Sequence, residues 1–163
     1  LKGLRDIPGS KNLSTAFAWA VAASLLPHLD NGSLLDTGLW VSFFFTAGLV
    51  FIRSAMSDIL DIQRDRLIGK ETLPVLIGEG KTLVILKAMC CFLFILLLVT
   101  PLAGWVATLG FFQLITIFYM WICFKLYDRR SALSGVVLEG LLESGYVVAG
   151  IVSLFWRAAT VLS

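Results

Sequence analysis

The stretch Ser57–Pro74, SDILDIQRDRLIGKETLP, gathers three aspartates, two arginines, a lysine and a glutamate between long apolar runs. Its setting is unusual. The chain has 163 residues, of which 58% are hydrophobic and 15% charged, and its mean hydropathy is +0.91. Soluble domains are roughly 45–50% apolar and about 25% charged. The composition therefore points to a membrane protein, and this stretch is where its charge is concentrated.

Working outward, the flanking sequence divides into apolar segments of membrane length. A helix needs about 20 mainly apolar residues to cross the hydrocarbon core. Five segments qualify: about Leu13 to Leu29, Thr37 to Met56, Leu83 to Thr100, Ala103 to Phe124, and Ala132 to Phe155. The first is short. Pro27 lies near its end, where a proline stops or kinks a helix. Pro101 and Gly104 suit a tight turn between the third and fourth. The expected fold is all-α, a polytopic bundle of transmembrane helices. No internal repeat or second domain interrupts residues 1–163, and the motif loop covers 57–82.

The connecting loops alternate in charge. Lys2, Arg5 and Lys11 precede the first span; Asp30 and Asp36, with no Lys or Arg, follow it. The aspartate-rich loop carries Arg64, Arg66, Lys70 and Lys81. The next turn is neutral, and Lys125, Arg129 and Arg130 come after the fourth span. Cytoplasmic loops are enriched in Lys and Arg, so this order places the motif loop in the cytoplasm and the C-terminus outside. A net charge of +2 is too small to favour a nucleic-acid partner. Cys90, Cys91 and Cys123 lie in apolar runs without metal-ligand spacing and are expected to be free.

If Asp58, Asp61 and Asp65 are helical, their spacings of three and four residues put them within roughly 60° of arc. Like charges so close repel. Solvent and the neighbouring arginines would relieve this on an exposed helix. A divalent cation would relieve it more specifically: Mg²⁺ prefers oxygen ligands and is commonly held by one or two carboxylates plus substrate phosphates. Arg64, Arg66, Lys70 and Lys81 would then meet phosphate oxygens. Arg53 and Asp58 begin the motif at membrane depth, where charge is costly and marks function.

The segment Asp58–Gly78, DILDIQRDRLIGKETLPVLIG, resembles the second aspartate-rich motif of the UbiA-type intramembrane prenyltransferases. Asp61 and Asp65 match the paired aspartates of D-x-x-x-D; Gly69, Thr72, Leu73 and Pro74 match the tail of that motif; Asp58 occupies an additional upstream position. The leading LKGLRDIPGSKNL resembles the lead-in to the family's fifth helix, with Lys2 at the lysine of Y-x-x-x-K. The resemblance makes the five spans the last five of nine. The first motif, N-D-x-x-D-x-x-x-D, has no counterpart here, so a partial sequence, lacking the N-terminal half of the same protein, is expected.

The resemblance implies Mg²⁺-dependent transfer of an isoprenyl group from a polyprenyl diphosphate to an acceptor, aromatic as in 4-hydroxybenzoate polyprenyltransferases of quinone biosynthesis, in the cell inner membrane. Asp61 and Asp65 become metal ligands, and Asp58 a helper ligand or acceptor-side base. Lys2, Lys70 and Arg64 become diphosphate contacts, while Arg66 stays on the cytoplasmic surface.

Other residues have plainer readings. Glu139 and Glu143 share a face of the fifth span and suit structural pairing or a cavity wall, with Tyr146 one turn on. Trp40, Trp105 and Trp156 fall at outer ends, as interface anchors do. Tyr119 remains open to a role beside a cationic intermediate. His28 stands alone in an outer loop. Gly135, Gly140, Gly145 and Gly150 recur every five residues, off the G-x-x-x-G face but able to permit close helix contact.

Three alternatives compete. A phosphatidyl-alcohol transferase would need D-G-x-x-A-R, which is absent. A transporter would run its path past Glu139 and Glu143. A scaffold leaves the packed carboxylates unexplained. Sequence upstream of Leu1 should reveal N-D-x-x-D-x-x-x-D after two further apolar spans; its absence there from the full gene would overturn the resemblance.

Overall fold

The computed structural model describes residues 9–29, 36–129 and 134–162. These are helical, with no strand among them: α1 (Ser10–Ala20), α2 (Thr37–Leu60), α3 (Ile62–Ile68), α4 (Leu73–Ile77), α5 (Glu79–Leu102), α6 (Leu109–Asp128) and α7 (Gly135–Leu162). Four of them, α2, α5, α6 and α7, are long and apolar enough to cross a membrane. The chain forms two compact units, divided within α5 between Met89 and Cys90.

In the first unit, α1 packs antiparallel to α2. The contacts fix the direction: Asn12 meets Ser54 and Asp58, whereas Ser24 meets Ser42 at 3.0 Å between hydroxyls. Asn12, Ala16, Ala20 and Ser24 form the buried stripe of α1 and the turn after it. Small residues at four-residue steps let two helix backbones approach, as membrane helices favour. Phe17 adds an edge-on contact to Phe43, with centroids 5.8 Å apart. Asp36 caps α2 by accepting from the Gly38 N–H at 3.0 Å.

The first expected span is helical, but not as one α-helix. After Ala20 the chain makes a π turn, Val21–Leu25, and then a 3-10 turn, Leu26–His28. The Leu26 N–H reaches back to the Val21 carbonyl. Pro27 accounts for the change, because it lacks an N–H and crowds the carbonyl four residues earlier. The Ser24 carbonyl instead accepts from His28 Nδ1 at 3.1 Å.

In the second unit, α6 and α7 are also antiparallel. Buried Gln113 donates from Nε2 to the Ala149 carbonyl (3.0 Å) and Ser153 Oγ (2.8 Å), and accepts from Thr116 Oγ1 (2.9 Å). Tyr119 donates to the Leu141 carbonyl at 2.9 Å and lies 2.6 Å from Ser144 Oγ. At the far end, Trp156 Nε1 donates to Thr108 Oγ1. Polar groups that must stay away from water thus satisfy one another between helices. Outward-facing Phe92, Ile95, Val147, Leu154 and Phe155 are exposed. Apolar surface of that extent fits lipid, not water.

The fourth span starts later than expected, at Leu109, because α5 continues through Pro101 to Leu102. A left-handed Gly104 (φ 73°) then ends it. The Trp105 N–H bonds to the Thr100 carbonyl and the Gly104 N–H to that of Pro101, the helix-stop arrangement glycine makes easy. Of the α7 glycines singled out from sequence, Gly145 is buried against Met120, whereas Gly135, Gly140 and Gly150 have open space.

Gly110 makes the tightest approach. A Cβ there would stand 2.5 Å from Pro101 Cγ and 3.2 Å from the Leu97 carbonyl oxygen. A proline ring has little room to yield. Gly110→Ala is therefore expected to destabilise the fold by about 1–3 kcal/mol, while Gly150→Ala leaves it unchanged or slightly steadier. Thermal unfolding in detergent checks both; equal melting temperatures for the two variants would refute the close approach.

Candidate functional site

The charged segment begins where the membrane-length α2 ends. Leu60 closes α2, Asp61 (φ −91°, ψ 6°) forms the junction, and α3 follows. The backbone stays hydrogen-bonded through it: the Asp61 N–H donates to the Ser57 carbonyl at 3.0 Å and the Asp65 N–H to that of Asp61 at 2.9 Å. The three aspartates nonetheless part company. Asp65 is 3% exposed, Asp58 is half-buried, and Asp61 faces outward. Asp61 lies at one edge of the shared arc, roughly 60° from Asp58 and about 40° from Asp65 on an ideal helix. That offset separates its environment from theirs.

Asp65 gains its cation through a turn. α3 stops at Gly69, whose left-handed φ of 74° a residue with a side chain rarely adopts. The Lys70 N–H then bonds back to the Asp65 carbonyl at 2.9 Å, and the Gly69 N–H to that of Arg66 at 3.4 Å. The reversal brings Lys70 Nζ to 3.3 Å from Asp65 Oδ1. The lysine side chain is 55% exposed and the carboxylate side chain 5%, so one partner is in solvent while the other is not. Expected as a diphosphate contact, Lys70 here also neutralises an aspartate.

Asp58 is held differently. Asn12, 1% exposed, donates from Nδ2 to Asp58 Oδ2 at 2.7 Å. Ser54 Oγ donates to Asn12 Oδ1 at 2.9 Å. Lys11, Lys70 and Asp65 are the charges that act on the Asp58 carboxylate. The site thus joins α1, α2, α3 and the Gly69 turn. Neither Asn12 nor Ser54 was singled out from sequence. The available signal was an asparagine at the head of a small-residue stripe, one residue from a lysine.

Arg64 and Arg66 are exposed, as is Glu71. Lys2 lies outside the described residues. Lys81 sits on an open groove of about 550 Å³ lined otherwise by Leu76, Ile77, Gly80, Val84 and Ile85. That groove is apolar and none of the three aspartates lines it. On α7, Glu139 and Glu143 are both exposed. Tyr119 serves the tie between α6 and α7. Cys90, Cys91 and Cys123 are free.

The donor set can be tested against a magnesium ion. Among the described residues, no group of three acidic, histidine or cysteine side chains is placed to hold a metal. Two neighbouring carboxylates, Asp58 and Asp65, are nevertheless suitable for an ion that takes much of its coordination from phosphate and water. Ser57 Oγ and Thr72 Oγ1 are buried hydroxyls with no hydrogen-bond partner among the described residues. The oxygen-only chemistry of the two carboxylates fits a magnesium-bound diphosphate.

Comparison with known proteins bears on the same residues. Searches among curated proteins and among solved structures give no match. A family model described as the UbiA prenyltransferase family matches residues 5–137, a range that takes in α1 to α6 and the whole aspartate-rich segment. Together with four helices of membrane length, a match over most of the sequence makes this an integral membrane protein, and the chain belongs to the UbiA prenyltransferase family, whose members transfer prenyl groups from a prenyl diphosphate to an acceptor within the membrane.

Proposed function

We propose that this chain carries the second half of a magnesium-dependent site that transfers a polyprenyl chain from its diphosphate to an aromatic acceptor of the 4-hydroxybenzoate kind. The observation that carries the reading is the polar cluster at the end of α2: a buried Asp65 beside Lys70, and Asp58 fixed by Asn12. Carboxylates kept largely from water at the end of a membrane-length helix suit a ligand with a charged head and an apolar tail.

Magnesium, when bound, supplies Lewis-acid neutralisation of the departing diphosphate. The chain's own residues do the rest. Asp65 and Asp58 offer carboxylate oxygens from a site with little water. Asp61, exposed at the helix junction, is free to close on the same cation from the water side. Asp58 would also serve as the acceptor-side base in this proposal. Lys70 has a solvent-exposed amine that can exchange its carboxylate for a phosphate oxygen. Arg64 and Lys2 are the further diphosphate contacts of this proposal, Lys2 by resemblance. The remaining carboxylates would come from the first aspartate motif, expected in an N-terminal half preceding Leu1. The motif loop faces the cytoplasm of the inner membrane on this reading, as the distribution of basic loops supports.

The family match disfavours a phosphatidyl-alcohol transferase. Exposed Glu139 and Glu143 give a transport path no special support.

Prenyl transfer by the full-length protein, assayed with radiolabelled geranylgeranyl diphosphate and 4-hydroxybenzoate, tests the site. Asp65→Ala and Asp61→Ala are each expected to lower kcat/KM by about 100-fold or more. Arg66→Ala, on the exposed surface, should change it little. Activity untouched by both aspartate replacements would sink the assignment.

Lys70→Met separates the two roles of the lysine. Loss of the lysine leaves the buried Asp65 carboxylate without its cation and should cost about 3 kcal/mol of stability, while KM for the diphosphate rises several-fold. A fall in stability with KM unchanged would confine Lys70 to pairing with Asp65.

A further inference from the structure

We infer that Asn12 is a positioning residue for Asp58, setting which carboxylate oxygen is available to a magnesium-bound diphosphate. The inference rests on the function proposed above and deepens it. It starts from burial: Asn12 is 1% exposed, so water cannot replace a partner it loses. Its amide is used at both ends. Ser54 Oγ donates to Oδ1 at 2.9 Å, and Nδ2 donates to Asp58 Oδ2 at 2.7 Å. An ionised carboxylate only accepts, so the amide must present its NH₂ group to Asp58. Ser54, one turn earlier on α2, holds the amide in that sense.

The choice of residue matters. Asp65 is neutralised by Lys70, a full charge at 3.3 Å. Asp58 is anchored by a neutral donor, which fixes its orientation, while Lys11 and Lys70 act on its charge without that directional bond. Asn12 holds Oδ2, and among the described residues no hydrogen bond engages Asp58 Oδ1. Groups that orient a metal-binding carboxylate in this way control affinity without touching the metal. Asn12 and Asp58 are 46 positions apart, so the bond also ties the start of α1 to the functional end of α2.

The test uses the full-length protein in detergent and geranylgeranyl S-thiolodiphosphate, an analogue that leaves poorly. Analogue binding is followed as Mg²⁺ is raised. The wild type should bind with a defined magnesium midpoint. Asn12→Leu should move that midpoint about 10–100-fold upward, with full binding restored at saturating magnesium. Ser54→Ala, which frees the amide without removing it, should shift the midpoint the same way by less. A purely structural role would lower the melting temperature and leave the midpoint in place.

An unchanged midpoint in both variants, beside a magnesium-dependent wild type, overturns the role of Asn12 and leaves the proposed function standing. A wild type that binds the analogue equally well without magnesium overturns both. If Asn12→Leu does not fold, Ser54→Ala decides: a raised midpoint supports the inference and a wild-type midpoint ends it.

Discussion

A carboxylate removed from water needs compensation at close range, and the site is arranged around that requirement at Asp65. Burial of an unpaired charge costs several kcal/mol or forces the group to take up a proton. Here the compensation is local. Gly69 turns the chain back, Lys70 lands on Asp65, and the same turn satisfies carbonyls at the end of α3. Since the lysine itself stays half in solvent, it can leave without being desolvated first. The pair thus offsets the burial of the carboxylate while leaving the amine in water.

A similar rule governs the rest of the molecule, where polar groups are tied off between helices and apolar ones face outward. Gln113 engages α7 at two points and Tyr119 at a third, while Leu154, Phe155 and Val147 on that helix remain exposed. In water this pattern would be inverted. In hydrocarbon, where apolar surface gains nothing by hiding, packing and buried hydrogen bonds are what hold helices together.

Much of this was legible from residue order. Membrane-length apolar runs gave α2, α5, α6 and α7, since the bilayer imposes a length that the sequence must meet. Gly104 announced a turn because few other residues adopt positive φ cheaply. The aspartate motif carried the family resemblance, and the family model matches a range that includes it. Long-range pairing was not legible. Nothing in the run of residues 54–58 says that Asn12 will reach them, because that contact depends on how α1 lies along α2. Nor does spacing reveal that Asp61 turns outward: an arc of about 60° is narrow on a helical wheel, yet wide enough to straddle a boundary between protein and solvent. The late start of α6 was hidden because Pro101 is tolerated inside the last turn of α5.

The π turn of Val21–Leu25 has a consequence for how this helix can vary in length. A hydrogen bond to the fifth residue back, as from Leu26 to Val21, accommodates one residue more than an α turn does. Removing a single residue from an α-helix rotates everything beyond it by about 100° and would swing a buried face outward. At this turn the slack already exists. Loss of one residue there would remove the extra residue of the π turn while Pro27 still bars an α bond at its own position, so the change would be confined to the distal end of the helix, well away from Asn12.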